Sequence, residues 1–454
     1  LKVEAQASFL LNTVHCILVG VLALEGRSVV MFTIFLVFCI IALCCPLVLE
    51  WLTPRPARSA TQYDILVQVL LLLADIASIP LYLAFPHTRV NVYFDQSSSS
   101  NHKLLAATPA LRNYPATCWL RNPWICFLWH QVYEMFVMQT LPKFYRERTQ
   151  CEKIALSTGG LAALDWYRSH DSLPSDAPVC FIAPTLMGNG RNEATWSLAR
   201  HLSRAGWRCV CFVKRGGGWD PLELSNWEPT CMLSYAEIEE GLEIVKQRYP
   251  TSFFAIIGLS AGGGWVRHYC ADAGTENKAD VALCLDGGWS WEDTVNACDN
   301  LNPVVAKVMG TALARPLLLK AASCGAKEIP AWLNISKLRR ACIDSWASVL
   351  RSAHAAYYGT SDLHAYFAAH PDKNVNSKQN SSIPLLIMSS LGDGACPDNY
   401  WTELDRVQEL PKTCCNTFVC MNHIGPHVYR PTGVLGGRSW AADVCEQFFE
   451  AVRQ

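Results

Sequence analysis

Apolar residues are distributed along this chain in two different ways, and the change falls near residue 86. Before it come long unbroken runs. Residues 29–49 read VVMFTIFLVFCIIALCCPLVL, twenty-one positions without a charge. As a helix rising 1.5 Å per residue they would span roughly 30 Å, the thickness of a hydrocarbon core, and the run is too long for a signal peptide. Residues 65–85 form a second apolar stretch, with Asp75 near its middle and Pro80 beyond. A carboxylate at bilayer centre costs on the order of 2.5–3.5 kcal/mol by insertion scales, so this stretch reads as a span with a buried Asp or as a re-entrant or interfacial helix. A third, 9–24, is interrupted by Asn12 and His15. Residues 1–86 are therefore expected to be membrane-anchoring helices. Their orientation stays open, because Lys2 and Arg27 on one side of the first span are matched by Arg55 and Arg58 on the other.

Residues 87–150 change character. Ser97 to Ser100, Pro109 and Pro115 suggest a linker, and 118–145, with Trp119, Trp124, Phe127, Trp129 and Tyr133, suggest a connecting helix rich in aromatic residues. From 179 onward short apolar runs alternate with helical patterns. Strands are predicted at 179–183, 207–213, 252–259, 281–285, 384–389 and 417–421, and helices at 192–205 and 234–249, the second with Glu237 three residues after a capping serine. Strands alternating with helices imply a parallel sheet, and wholly apolar strands imply a sheet covered on both faces. The fold class is α/β.

Composition narrows the function. The 38 Lys and Arg nearly balance the 39 Asp and Glu, hydrophobic residues reach 51% and charged residues only 17%. That balance argues against a nucleic-acid partner and against a disordered chain. The 21 cysteines include no C-x-x-C pair and fall mostly in apolar runs, where a thiol behaves as a small buried hydrophobe; no metal or cofactor is implied. The sequence opens at Leu1 rather than at a methionine, which leaves room for a start upstream.

The candidate chemistry sits at Gly258-Leu259-Ser260-Ala261-Gly262, a G-x-S-x-G directly after a buried strand and directly before a helix expected near Gly263. A sharp strand-to-helix turn would hold Ser260 exposed and strained, and only small neighbours avoid clashes there. A serine needs a base within reach, itself oriented by a carboxylate. Downstream, the strand at 384–389 runs into a loop carrying Asp393, the favoured acid, with Asp398 and Asp286 as weaker candidates. The last strand leads to His423 and His427; His427 is favoured as the base and His423 is the alternative. An oxyanion hole needs backbone N–H groups, expected from Ala261 and from Leu186 in the loop after the first of these strands.

These residues resemble the α/β-hydrolase superfamily, and more narrowly its membrane-anchored branch of esterases, phospholipases and alcohol acyltransferases. Pro184-Thr185-Leu186-Met187-Gly188 stands in the place of that branch's P-G-L-T-G loop, Val213-Lys214-Arg215-Gly216 in that of its N-H-R-G, Asp393 to Pro397 in that of D-x-x-x-P, and Gly425-Pro426-His427 in that of G-G-H. Thr185, Lys214 and Pro426 depart from those patterns. The resemblance covers roughly 179–450. It implies a catalytic domain over 151–454, a helical cap inserted at about 289–375, and a membrane-held serine hydrolase that cleaves or transfers acyl groups of lipid-like esters. An inactive scaffold and an amidase or peptidase remain as alternatives. The sequons at Asn334 and Asn380 are short enough to be accidental.

Overall fold

The computed structural model describes residues 88–117, 126, 149–157, 159–167, 172–217, 227–229, 235–273, 276–287, 303–363, 365–366, 381–391, 393, 410–412, 414–423, 425–433 and 438–454. All of them fall in one compact unit, Ile79–Gln454. The three apolar stretches at 9–24, 29–49 and 65–85 lie outside the described residues, as do the aromatic stretch at 118–145 apart from Cys126, the edges of the expected cap, and Asp398. Among the described residues no helix is long and apolar enough to cross a membrane.

The elements run in chain order as β1 (Thr88–Tyr93), α1 (Ser99–Ala106), β2 (Asn113–Tyr114), β3 (Thr149–Ala155), β4 (Leu161–Tyr167), β5 (Val179–Ala183), α2 (Glu193–Arg204), β6 (Arg208–Val213), α3 (Ala236–Arg248), β7 (Phe254–Leu259), α4 (Ala261–Ala273) and β8 (Val281–Leu285). There follow α5 (Pro303–Ser323), α6 (Ile335–Asp344), α7 (Trp346–Val349), a π turn at Leu350–His354, α8 (Ala355–Tyr357), β9 (Leu385–Ser390), β10 (Thr417–Asn422), the short pair β11 (Pro431–Thr432) and β12 (Arg438–Ser439), and α9 (Trp440–Arg453). The main sheet has ten strands in the order β2-β1-β10-β9-β8-β7-β5-β6-β4-β3. From β6 through β10 every neighbour is parallel, while β4 and β3 continue the sheet antiparallel at one edge and β1, then the short β2, continue it antiparallel beyond β10 at the other. A parallel core with an antiparallel second strand and crossover helices on both faces is the α/β-hydrolase fold.

The central strands are buried at every position. Alternation then sends successive side chains to opposite faces. Val179, Phe181 and Ala183 join a core with Ile238, Leu242 and Val245 of α3 and Trp265 and Val266 of α4. Cys180 and Ile182 join the opposite core, with Leu198 and Leu202 of α2 and Trp440, Phe448 and Phe449 of α9. Thiols accordingly serve as packing atoms: burial pushes Cys270 and Cys420 up to about 12.

The helices α5 to α8, which stand in the place of the expected cap, have a core of their own, built on Leu313, Leu317, Leu338, Trp346 and Leu350, and it continues onto Leu186 and Met187 of the loop after β5. These helices therefore pack apolar side chains against the loop that follows β5.

Two sequence expectations are corrected. The stretch read as a linker contributes a strand, because Val90–Tyr93 pair with Asn422–Val419 across the edge of the sheet. The helix α3 starts at Ala236, two residues later than expected, after Tyr235, whose side chain makes no cap; the expected capping residue Ser234 lies outside the described residues, and Glu237 accepts from Arg215 Nε at 2.8 Å.

Candidate active site

Strand β7 ends at Leu259 and α4 begins at Ala261, so one residue, Ser260, makes the whole turn. Its φ is 55°, a left-handed conformation that costs a non-glycine residue about 1–2 kcal/mol. Its N–H donates to Leu285 O at 2.9 Å and its carbonyl accepts from Gly264 N at 3.2 Å, which ties the turn to β8 and starts the helix. The flanking glycines are required by backbone contact. A Cβ on Gly258 would lie 2.3 Å from Gly262 O, and one on Gly262 would lie 2.2 Å from Ala183 O and 2.5 Å from Pro184 O. The helix begins two residues earlier than the sequence suggested, and the N–H groups of its first turn have no intrahelical acceptor; the one following Ser260 belongs to Ala261.

The side chains meet at the carboxyl ends of the strands. His427 Nε2 lies 2.6 Å from Ser260 Oγ, and His427 Nδ1 lies 2.7 Å from Asp393 Oδ2. The Asp393 side chain is 2% exposed and that of His427 18%, so one end of the array is sealed and the other reachable. Burial opposes a charge on the imidazole, but the Asp393 carboxylate, through its charge and its hydrogen bond, and then Asp286 outweigh it. His427 titrates above its usual value.

His423 takes no part. It is exposed, and its Nε2 lies 3.2 Å from Asn91 Nδ2 on β1. Asp286, the weaker acid candidate, is close to the array in a different role. Its Oδ2 accepts from Val428 N at 2.7 Å and its Oδ1 from Arg430 Nη2 at 2.7 Å. Arg430 also donates to Pro426 O, and its Nε donates to Asn422 Oδ1 at 3.1 Å. A buried ion pair thus holds the peptide groups on both sides of His427. The sequence reading missed Arg430; its signal is a lone arginine in an otherwise apolar stretch after the histidine.

Asp286, Asp393 and His427 bring ligand-type atoms within 4.8 Å of one another. The set is unsuited to a cation, because its oxygens already accept from Val428, Arg430 and His427, and the Arg430 guanidinium supplies positive charge to Asp286.

The loop expected to complete an anion-binding pocket is a tight turn in which Gly188 N donates to Thr185 O at 2.7 Å. Met187 within it has φ 58°, a conformation that a type II turn demands at that place and that glycine usually supplies. Leu186 packs against both the sheet core and the cap core. The departure at Lys214 is also accommodated: its ammonium lies 4.2 Å from the centre of the Trp265 ring, one turn into α4. Its neighbour Arg215 is buried against Glu237 and Glu228.

No protein-family model matches the chain. Phospholipase ABHD3 of Homo sapiens is 25% identical over 159 residues, which cover 34% of this chain and 37% of the relative. The protein of the same name from Bos taurus is 24% identical over 308 residues, covering 66% and 71%. The match thus spans little more than a third of the human relative's length. Among solved structures, the esterase Pf2001 of Pyrococcus furiosus superposes with a TM-score of 0.36 at 13% identity, over 63% of this chain and 87% of that one. Est1E from Butyrivibrio proteoclasticus gives 0.37 at 15%, over 67% and 99%. In its strand order, in the position of the Ser260 turn and in its sequence relatives, the chain resembles the α/β-hydrolase superfamily and, within it, the phospholipase ABHD3 proteins.

Proposed function

We propose that this protein is a membrane-associated serine hydrolase that cleaves lipid-like carboxylic esters through an acyl-Ser260 intermediate. The observation that carries the reading is the continuous hydrogen-bonded line from Ser260 Oγ through the His427 ring to Asp393. As Oγ attacks the ester carbonyl carbon, Nε2 takes its proton. Asp393 holds the proton on Nδ1 and stabilises the imidazolium. The carbonyl oxygen becomes an oxyanion, for which the N–H groups of Ala261 and Leu186 are the donors. Collapse breaks the ester C–O bond, and His427 returns the proton to the leaving alkoxide. Water, deprotonated by His427, then releases the acid and regenerates Ser260; an alcohol in place of water would make the reaction a transfer.

The lipid character of the substrate is supported by the phospholipase relatives and by the cap core that reaches Leu186 and Met187. Association with a membrane is supported by the uncharged run at 29–49. The test is a parallel assay of a medium-chain ester and its matched amide. Ester turnover that disappears in Ser260→Ala supports the reading. Amide turnover at a comparable rate would make the protein an amidase, and no turnover of either would leave a scaffold.

A further inference from the structure

The helices in the place of the expected cap are basic: residues 303–366 carry eight Lys and Arg against three Asp and Glu, although the whole stretch 289–375 carries nine against seven. The cap is also where apolar surface is left in water. Among the described residues the exposed large hydrophobic side chains are Leu319, Ile343 and Tyr358, at 46%, 64% and 40%, and all three belong to the cap.

Both features meet on α6. Its inner face, Leu338 and Ala341, is buried in the cap core. Lys337, Arg339, Arg340 and Ile343 are exposed. With residues three and four apart adjacent on a helix surface, Ile343 stands at the middle of the outer face with Arg339 and Arg340 on either side, one turn back. One exposed carboxylate, Asp344, lies on the same helix four residues after Arg340, which leaves α6 with three basic residues against one acidic. Asp344 accepts from Ser348 Oγ at 2.7 Å, Arg340 Nε donates to Ser336 O at 3.4 Å, and among the described residues no carboxylate is within ion-pair distance of Lys337 or Arg339. An aliphatic side chain set between guanidinium groups suits a boundary whose outer layer is anionic and whose inner layer is hydrocarbon.

We propose that the outer face of α6 docks on an anionic lipid surface. The contact is separate from the apolar amino-terminal runs and assumes nothing about Ser260. Because the cap core under α6 continues to Leu186 and Met187, docking sets the lipid surface against the same cap that borders the Ser260 turn. Each basic residue held near such a surface strengthens binding by about fivefold.

The test is hydroxyl-radical footprinting of the full chain, which reads Ile343 itself and is unaffected by other segments that bind lipid. Three conditions are compared: no lipid, phosphatidylcholine vesicles, and vesicles with about one-third phosphatidylserine. Oxidation of Ile343 is expected to be largely lost on the anionic vesicles only. Protection should be lost in the Arg339→Glu/Arg340→Glu double variant and retained in Arg339→Lys/Arg340→Lys, which keeps the charge. Ser260→Ala should give the wild-type footprint, so a failed docking surface and a failed catalytic reading are told apart. Unchanged oxidation on anionic vesicles, or equal protection on phosphatidylcholine alone, would overturn the proposal. Equal protection by soluble polyglutamate would reassign the face to an acidic macromolecule.

Discussion

Ser260, Asp286 and Val428 each hold a positive φ without being glycine, at 55°, 50° and 50°, and all three border one imidazole. Such conformations cost of order 1–3 kcal/mol each and persist only where the surroundings over-determine them. Here the surroundings are specific: Leu285 O holds Ser260, and the Asp286–Arg430 pair grips the peptide groups before and after His427. Arg430→Met leaves the buried Asp286 carboxylate without its counter-charge, so it is expected to lower unfolding free energy in urea by about 3–5 kcal/mol. The same residues set the pH response. A protonated His427 cannot accept the Ser260 proton, so ester turnover rises with pH through the His427 titration, and the acid limb of kcat/KM is expected above pH 6.5. In Asp393→Asn the groups that raise the value are weakened while burial and Arg430 still lower it. The limb should move to lower pH and kcat should fall by about 10³–10⁴-fold. A pH–rate profile of both proteins checks the direction.

At the scale of elements, the strands that could be read from the sequence are those buried on both faces. The strands expected at 179–183 and 281–285 match β5 and β8, and the others agree within one or two residues, because an unbroken apolar run needs no knowledge of its neighbours. The edges could not be read in this way. β3 is Thr-Gln-Cys-Glu-Lys-Ile-Ala, with much of its length in water, as befits a strand that must discourage further pairing, and β1 owes its place to register with β10. The G-x-S-x-G was legible because its geometry is local: strand, one-residue turn, helix. That locality gives a prediction. Gly262→Ala drives a Cβ into Ala183 O, which should cost at least about 1–3 kcal/mol and abolish ester turnover in the fraction that still folds, as measured by urea melts and initial rates. His427 and Asp393 were harder to choose from sequence because their partnership spans 34 residues and only the loops at the strand ends suggested it; Arg430, which acts through other residues, left almost no trace.

For the whole molecule, the sheet runs from β3 to β1 and β2, and the unit that contains it starts at Ile79. The first described strand of that unit, β1, starts at Thr88. A chain begun at residue 79 should keep a cooperative unfolding transition. One begun at residue 96 lacks β1, exposes the β10 edge, and should aggregate or melt without cooperativity, as followed by circular dichroism and light scattering. The net charge of −1 is the least informative figure in the sequence at this scale, because it does not say where charges lie; only the structure shows Arg339 and Arg340 flanking the exposed Ile343 on α6. The proposed activity requires Ser260 to be a nucleophile activated by His427. Mass spectrometry after exposure to a fluorophosphonate tests that most directly. One covalent adduct on the Ser260 peptide is expected in the wild type, none in Ser260→Ala, and a labelling rate lower by orders of magnitude in His427→Ala. A wild type that stays unlabelled, or an adduct that persists in Ser260→Ala, would contradict it.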